Sequence, residues 1–221
     1  MARFARLVVP GYPHHITQRG VRSINIFSDD EDRRNYLQFL SEEAETFGVD
    51  YIAWCLMTNH VHLIAVPEKE DSLARAIGQA HKRYTRMKNF REGVRGYLFQ
   101  DRFNSCVLDE KHLLAAGCYV ECNPVAARMT KTACEYKWSS ARYHCHLEES
   151  DPLIRERRLP EMIDNWADYI AMTDEKMEWD IRKKTRTGRP AGDEGFIYQL
   201  ETLAGRRLRI KKPGRQTLLE K

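Results

Sequence analysis

The sequence predicts an α+β protein: a ferredoxin-like antiparallel sheet with two helices on one face, continued by a helical, basic C-terminal extension. Two observations carry that prediction. Hydrophobic spacing alternates between a period of two and a period of 3.6, in the order β-α-β-β-α-β-α, whose first six elements form the split βαβ pattern. Charge then divides the chain. Residues 182–221 carry 12 Lys+Arg against 4 Asp+Glu, a balance of +8, whereas the first 181 hold 24 against 28, a balance of −4. The expected division is a sheet-bearing domain over 1–145 and an extension over 146–221.

Each element has a local reason. Tyr12 to Gly20 reads as a strand ending at glycine. Asp29 to Phe47 reads as a helix: Asp29 or Asp30 caps it, Tyr36, Leu37, Leu40, Ala44 and Phe47 recur at helical spacing, and Gly48 ends it. Val49 to Met57 is β-branched, aromatic and apolar, a buried strand. Thr58-Asn59 turns the chain into a second strand, His60 to Val66, stopped by Pro67. Ser72 to Asn89 is helical on Leu73, Ile77, Ala80 and Tyr84, and Leu98 to Leu108 is the fourth strand. Lys111 to Met129 begins as a helix that Pro124 kinks or ends. Trp138 to Tyr143 reads as a short helix closing the core. Residues 148–181 are acidic, with helical spacing at Met162, Trp166, Tyr169 and Ile170. Arg182 to Pro190 reads as a basic linker, and Glu194 to Leu203 as a last amphipathic helix.

Composition narrows the function classes. Four Trp, ten Tyr and eight Phe supply core material, which excludes a disordered chain. No stretch approaches the ~20 apolar residues of a membrane helix, and the apolar run after Met1-Ala2-Arg3-Phe4-Ala5-Arg6 is too short for a signal peptide. A soluble, cytoplasmic protein is expected, with its six cysteines reduced. Cys118 and Cys122, four apart on a helix, lack the second ligand pair of a zinc site. The basic tail suits a polyanionic partner or a solvated appendage equally.

Two groups of residues carry chemistry. In His60-Val61-His62 the imidazoles stand at i and i+2 on a strand, hence on one face. They are either cis ligands of a divalent metal or an ordinary exposed pair. A nucleotide-binding histidine triad would continue to position 64, which is Ile64. Tyr119 and Asn123 share a helix face one turn apart, just before Pro124. Tyr119 is either core or a nucleophile beside a metal ligand. Around them, His14, Gln18, Arg19 and Arg22 lie on or after the first strand. Lys82, Arg83, Arg86 and Lys88 accompany Tyr84 on a helix, a face that binds a phosphate backbone and stacks a base or is simply solvated. Arg186, Arg189, Arg206, Arg207, Arg209 and Arg215 lie in the tail.

His60-Val61-His62 resembles the His-hydrophobic-His ("HUH") motif of single-strand DNA transesterases, and Tyr119-Val120-Glu121-Cys122-Asn123-Pro124-Val125-Ala126-Ala127 resembles the nucleophile helix of single-tyrosine transposases. Further segments are similar to the REP-associated tyrosine transposases of bacteria: Pro13 to Gly20, Trp54 to His60, Trp138-Ser139-Ser140 and Thr187-Gly188-Arg189-Pro190. The resemblance spans nearly the whole chain. It implies an HUH endonuclease-like fold, His60 and His62 as ligands of Mg²⁺ or Mn²⁺, and Tyr119 as nucleophile. Asn123 falls where related transposases place a third ligand, usually glutamine. It further implies cleavage and rejoining of single-stranded DNA at REP-type hairpins through a 5′-phosphotyrosine. The tail arginines either clamp a hairpin stem or occupy the DNA site when DNA is absent. Neither a membrane nor an obligatory protein partner is expected. The rivals are a rolling-circle initiator nuclease, a non-catalytic hairpin-binding regulator, and a metal-binding protein of other function.

Overall fold

Strand alternation and helix capping build one sheet with helical layers on both faces. A computed structural model describes residues 6–172 and 175–209. Met1 to Ala5 and the tail arginine Arg215 lie outside the described residues. Strands β1 (His14–Arg19), β2 (Val49–Leu56), β3 (His60–Pro67) and β4 (Asn104–Val107) pair antiparallel in the order β2-β3-β1-β4. This is the order that the split βαβ pattern requires, with β1 and β3 central.

Helices α1 (Asp30–Phe47) and α2 (Ser72–Glu92) cover one face. The Asp29 carboxylate accepts the Asp32 N–H at 2.8 Å to start α1, and Gly48 at φ +64° ends it. Val61, Leu63 and Ala65 of β3 point into the core that this layer shares with Tyr36, Leu40, Ile77 and Tyr84. Because the strand period is two, His60, His62 and Ile64 point the other way, where α3 (Glu110–Ala126) lies. Ile64 there joins a second core with Ala116, Tyr119 and Val120.

The second core reaches into the extension. Helices α4 (Ala141–His144), α5 (Arg158–Glu161) and α6 (Trp166–Ala171) pack around α3. The fully buried Glu121 accepts from Ser140 Oγ, His144 Nδ1 and, at 2.7 Å, Trp166 Nε1. Gly117, one turn earlier, allows the close approach: a Cβ there would stand 2.6 Å from Leu159 and 2.9 Å from Trp166. Together they hold α3 in one rotational setting.

Several expected boundaries shift. The fourth strand is confined to Asn104–Val107. Leu98, Phe99 and Phe103 are buried in the α1/α2 core instead, and Asp101 turns the chain at φ +53°. Trp138 and Ser139 lie along β2, with Trp138 O accepting from Leu56 N at 2.9 Å, so the short helix begins only after Ser140. Pro124 sits inside α3, which runs on to Ala126. The largest correction concerns Arg182 to Pro190, expected as a linker. Its first six residues are the C-terminal half of a helix, α7 (Glu175–Thr187), because Ile181 and Thr185 form a buried stripe against α3 and β4. Gly188 at φ +70° ends α7, Ala191 bridges Leu108, and α8 (Glu194–Ala204) seats Leu200 against Leu7, Val9 and Val107. Among the described residues no helix is long and apolar enough to cross a membrane.

Candidate active site

The face of the sheet under α3 collects the polar groups that strand alternation sets aside. In the antiparallel register Thr17 stands opposite His62 and Arg19 opposite His60, so β1 delivers His15 and Thr17 beside the β3 histidines. α3 lays Tyr119 across them. Its ring meets those of His62 and His15 edge-on, with centroids 5.3 and 5.6 Å apart, and His60 and His62 are 5.0 Å apart. These residues line a cleft of about 550 Å³, together with Asn123, Gln18 and Arg19.

Hydrogen bonds assign the imidazole tautomers. Thr185 Oγ1 donates to Ile181 O at 2.8 Å, so toward His15 it acts as acceptor, and His15 Nδ1 donates to it at 2.7 Å. His15 Nε2 is then the acceptor for His62 Nδ1–H at 3.1 Å. His60 Nδ1 donates to Asn59 Oδ1 at 2.7 Å. Both His60 and His62 are left with a lone pair on Nε2, and neither Nε2 makes a hydrogen bond among the described residues. Burial keeps the rings neutral: it drives His60 down to about 4, with Arg19 and Arg182 adding to the shift, and His15 to about 3. Burial, then the neighbouring His15 and His60, hold His62 well below the usual imidazole range.

This donor set fits a divalent cation. Two neutral imidazoles present lone pairs from adjacent positions of one strand face, and Asn123 Nδ2 donates to Tyr119 O at 2.6 Å, which leaves its amide oxygen uncommitted. Among the described residues no group of three His, Cys, Asp or Glu side chains forms a closed metal cage. The Cys118 and Cys122 sulfurs, 3.9 Å apart, lie within the second core.

Above Tyr119 stands α7. Arg182 Nε donates to Tyr119 Oη at 3.4 Å, and Arg182 and Arg186 line the cleft with Thr185 between them. Arg182, Thr185 and His15 were not among the residues singled out from the sequence. The period-two alternation that pairs His60 with His62 could have indicated His15, but only the β1/β3 register sets it against His62. Nothing local marks Arg182 or Thr185.

The other candidates divide. Gln18, Arg19 and Arg186 line the cleft, and Gln18 Oε1 is buried there without a hydrogen-bond partner among the described residues. Arg22 is exposed on the turn after β1 at φ +51°. His14 faces away from the site, fully buried, with Nδ1 bound to Tyr12 O and Nε2 accepting from Val9 N, so it reads no base. Lys82 and Arg86 are exposed on α2, across the sheet from the histidines, and Arg83 is tied to Glu42 and Glu43 of α1. The expected base-stacking face on α2 is corrected: Tyr84 is wholly buried, donating to Ile26 O at 2.6 Å, and Lys88 is buried against Asp32 at 2.9 Å. Arg189 donates to Leu208 O at 2.7 Å, and Arg206 and Arg207 follow α8 away from the cleft lining.

A family model described as "Transposase IS200 like" matches residues 10–123. A solved REP-associated tyrosine transposase, bound in its structure to a REP hairpin, superposes with a TM-score of 0.57 at 16% identity, covering 71% of this chain and 92% of that one. A candidate transposase from Deinococcus radiodurans R1 gives a TM-score of 0.37 at 17% identity, over 59% of this chain and 94% of that one. No curated protein sequence matches the chain.

Proposed function

The chain belongs to the IS200-like transposase family, and from that premise we propose that it cleaves and rejoins single-stranded DNA at REP-type hairpins through a 5′-phosphotyrosine at Tyr119. The observation that carries this reading is the seating of Tyr119. Its ring lies against His62 and its hydroxyl under Arg182, in a cleft whose floor holds two neutral imidazoles with free lone pairs. The hairpin substrate is proposed from the solved relative of the same fold, which carries a REP hairpin.

The chemistry divides among this chain's own residues. Tyr119 Oη attacks phosphorus in line. The new P–Oη bond replaces the bond to the 3′ oxygen, which leaves and takes up a proton as a 3′-OH. Arg182, close to Oη, stabilises the phenolate and then charge on the phosphoryl oxygens. His60, His62 and Asn123 would hold a divalent ion, Mg²⁺ or Mn²⁺, which when bound would supply Lewis-acid polarisation of the scissile phosphate. Gln18, Arg19 and Arg186 guide the strand along the cleft. The aryl phosphoester retains the energy of the broken bond, so a 3′-OH can reverse the step and complete strand transfer without ATP.

On this reading residues 1–145 form the catalytic domain, and 146–221 form an extension whose α7 completes the site. The reaction belongs in the cytoplasm, where the six cysteines stay reduced. The test is incubation with single-stranded REP oligonucleotides and Mn²⁺, resolved on a denaturing gel. A covalent adduct formed by the wild type and absent from His60→Ala and His62→Ala, with hairpin binding largely retained in both, is the expected result. Adducts that persist in both histidine variants refute it.

A further inference from the structure

Beyond the cleft, the last turn of α2 and the loop that follows it hold two aromatic side chains in open solvent. Phe90 and Tyr97 are each 90% exposed, more than any other large hydrophobic side chain among the described residues. The junction between helix and loop is built rather than slack. Asn89 Nδ2 donates to Gly96 O at 2.9 Å and Val94 N to Asn89 O at 3.0 Å, while Gly93 and Gly96 take positive φ at +65° and +122°. These bonds fold residues 89–96 against the last turn of α2 and bring Tyr97 back beside it.

The same loop leads into the cleft. After Tyr97 the chain is anchored to the end of β1, with Leu98 O accepting from Val21 N at 2.9 Å and Gln100 N donating to Arg19 O at 2.8 Å. Gln100, Asp101 and Arg102 then line the cleft. Two residues separate Tyr97 from Gln100, the first of that lining, a span of about 10 Å. The surroundings are cationic. Arg22, Arg95 and Arg102 are exposed and form no ion pair among the described residues, whereas Glu92 at the end of α2 is paired to Lys88 at 2.6 Å and Asp101 is the exposed acid of the loop.

We propose that Phe90 and Tyr97 form a stacking platform for single-stranded DNA that continues outward from the cleft. The inference rests on reading the cleft as a single-strand DNA site. Any base offers a π-face, so two exposed rings flanked by arginines hold a strand without selecting its sequence, while the arginines follow its backbone. Charge complementarity and continuity with the cleft favour this occupant over a second copy of the chain or a protein partner.

The experiment uses the full chain and a 20-nucleotide single strand of mixed sequence, with 2-aminopurine placed at successive positions. Binding is followed by anisotropy and stacking by quenching of the 2-aminopurine. Phe90→Ala and Tyr97→Ala are each expected to weaken binding roughly tenfold and to abolish quenching at one position. Phe90→Tyr and Tyr97→Phe should keep both. Arg95→Gln should flatten the log–log salt slope by about 0.7. Unchanged affinity and quenching in the two alanine variants overturn the platform. So does a concentration-dependent wild-type dimer, seen by sedimentation, that the paired alanine substitutions dissolve. Adduct formation is scored separately. Quenching by a wild-type protein that forms no adduct refutes transesterase chemistry at Tyr119 while supporting the platform.

Discussion

Thr185 Oγ1 and His15 Nδ1 lie 2.7 Å apart although 170 residues separate them in the chain. Because the threonine hydrogen is committed to Ile181 O, this contact sets the direction of every hydrogen bond from α7 to His62. His62 must then present an unprotonated Nε2 to the cleft, the form a metal requires.

Thr185→Val removes the acceptor and frees the His15 and His62 rings to exchange tautomers. Mn²⁺ affinity measured by calorimetry should fall about 10- to 100-fold, alongside the loss of about 1–3 kcal/mol of stability that stranding the buried His15 donor brings. Thr185→Ser should restore it. Equal affinity in the valine and wild-type proteins would show that the relay does not orient His62.

Tyr119→Phe removes one oxygen whose hydrogen bond to Arg182 is long, at 3.4 Å. The melting temperature should stay within about 2 °C of wild type and hairpin binding should persist, while the covalent adduct disappears. Phe at Tyr12, Tyr84, Tyr97 or Tyr143 should leave the adduct intact. An adduct that survives Tyr119→Phe would place the nucleophile elsewhere.

Arg182→Gln should slow adduct formation by about 10- to 100-fold, since it removes the guanidinium that donates to Tyr119 Oη. Hairpin affinity should change far less, because many phosphate contacts share it. Arg182→Lys should recover part of the rate. A rate equal to wild type in Arg182→Gln would leave this guanidinium without a role at the phenol.

Glu121→Ala strands three buried donors, Ser140, His144 and Trp166, around an empty volume. A loss of about 3–5 kcal/mol is expected by chemical denaturation. The adduct yield of the fraction that remains folded should drop too, because these contacts orient the helix that carries Tyr119.

Acid should destabilise the fold through imidazoles away from the cleft. Burial lowers His14 to about 4 and His81 to about 3. The unfolded chain binds their protons near pH 6.5 and the folded chain does not, so the stability associated with these neutral rings is fully present above 6.5. It is lost as pH falls from 6.5 toward 4, at up to about 1.4 kcal/mol per pH unit for each ring. Urea midpoints at pH 7.5, 6 and 5 should decline accordingly. His81→Gln should make that decline shallower.

Sequence alone determined the features that periodicity, capping and spacing dictate. Period-two alternation put His60 and His62 on one face of β3, a helical turn put Asn123 over Tyr119, and Asp29 and Gly48 bounded α1. Each depends on residues within one element, so each was legible before the fold was known. The element order likewise determined the sheet topology. Tertiary structure decided everything that depends on which distant surfaces meet. Register across β1 and β3 brought His15 to His62. Burial of Ile181 and Thr185 turned an expected linker into the end of α7, and that helix carried Arg182 to a tyrosine 63 residues earlier in the chain. Burial elsewhere, in the α1/α2 layer and beside Val9, removed Tyr84, Lys88 and His14 from the set of DNA contacts, because a side chain's polarity does not reveal which side of a sheet it occupies. Long-range packing is selected by the free energy of the whole core, and no short stretch of sequence contains that term.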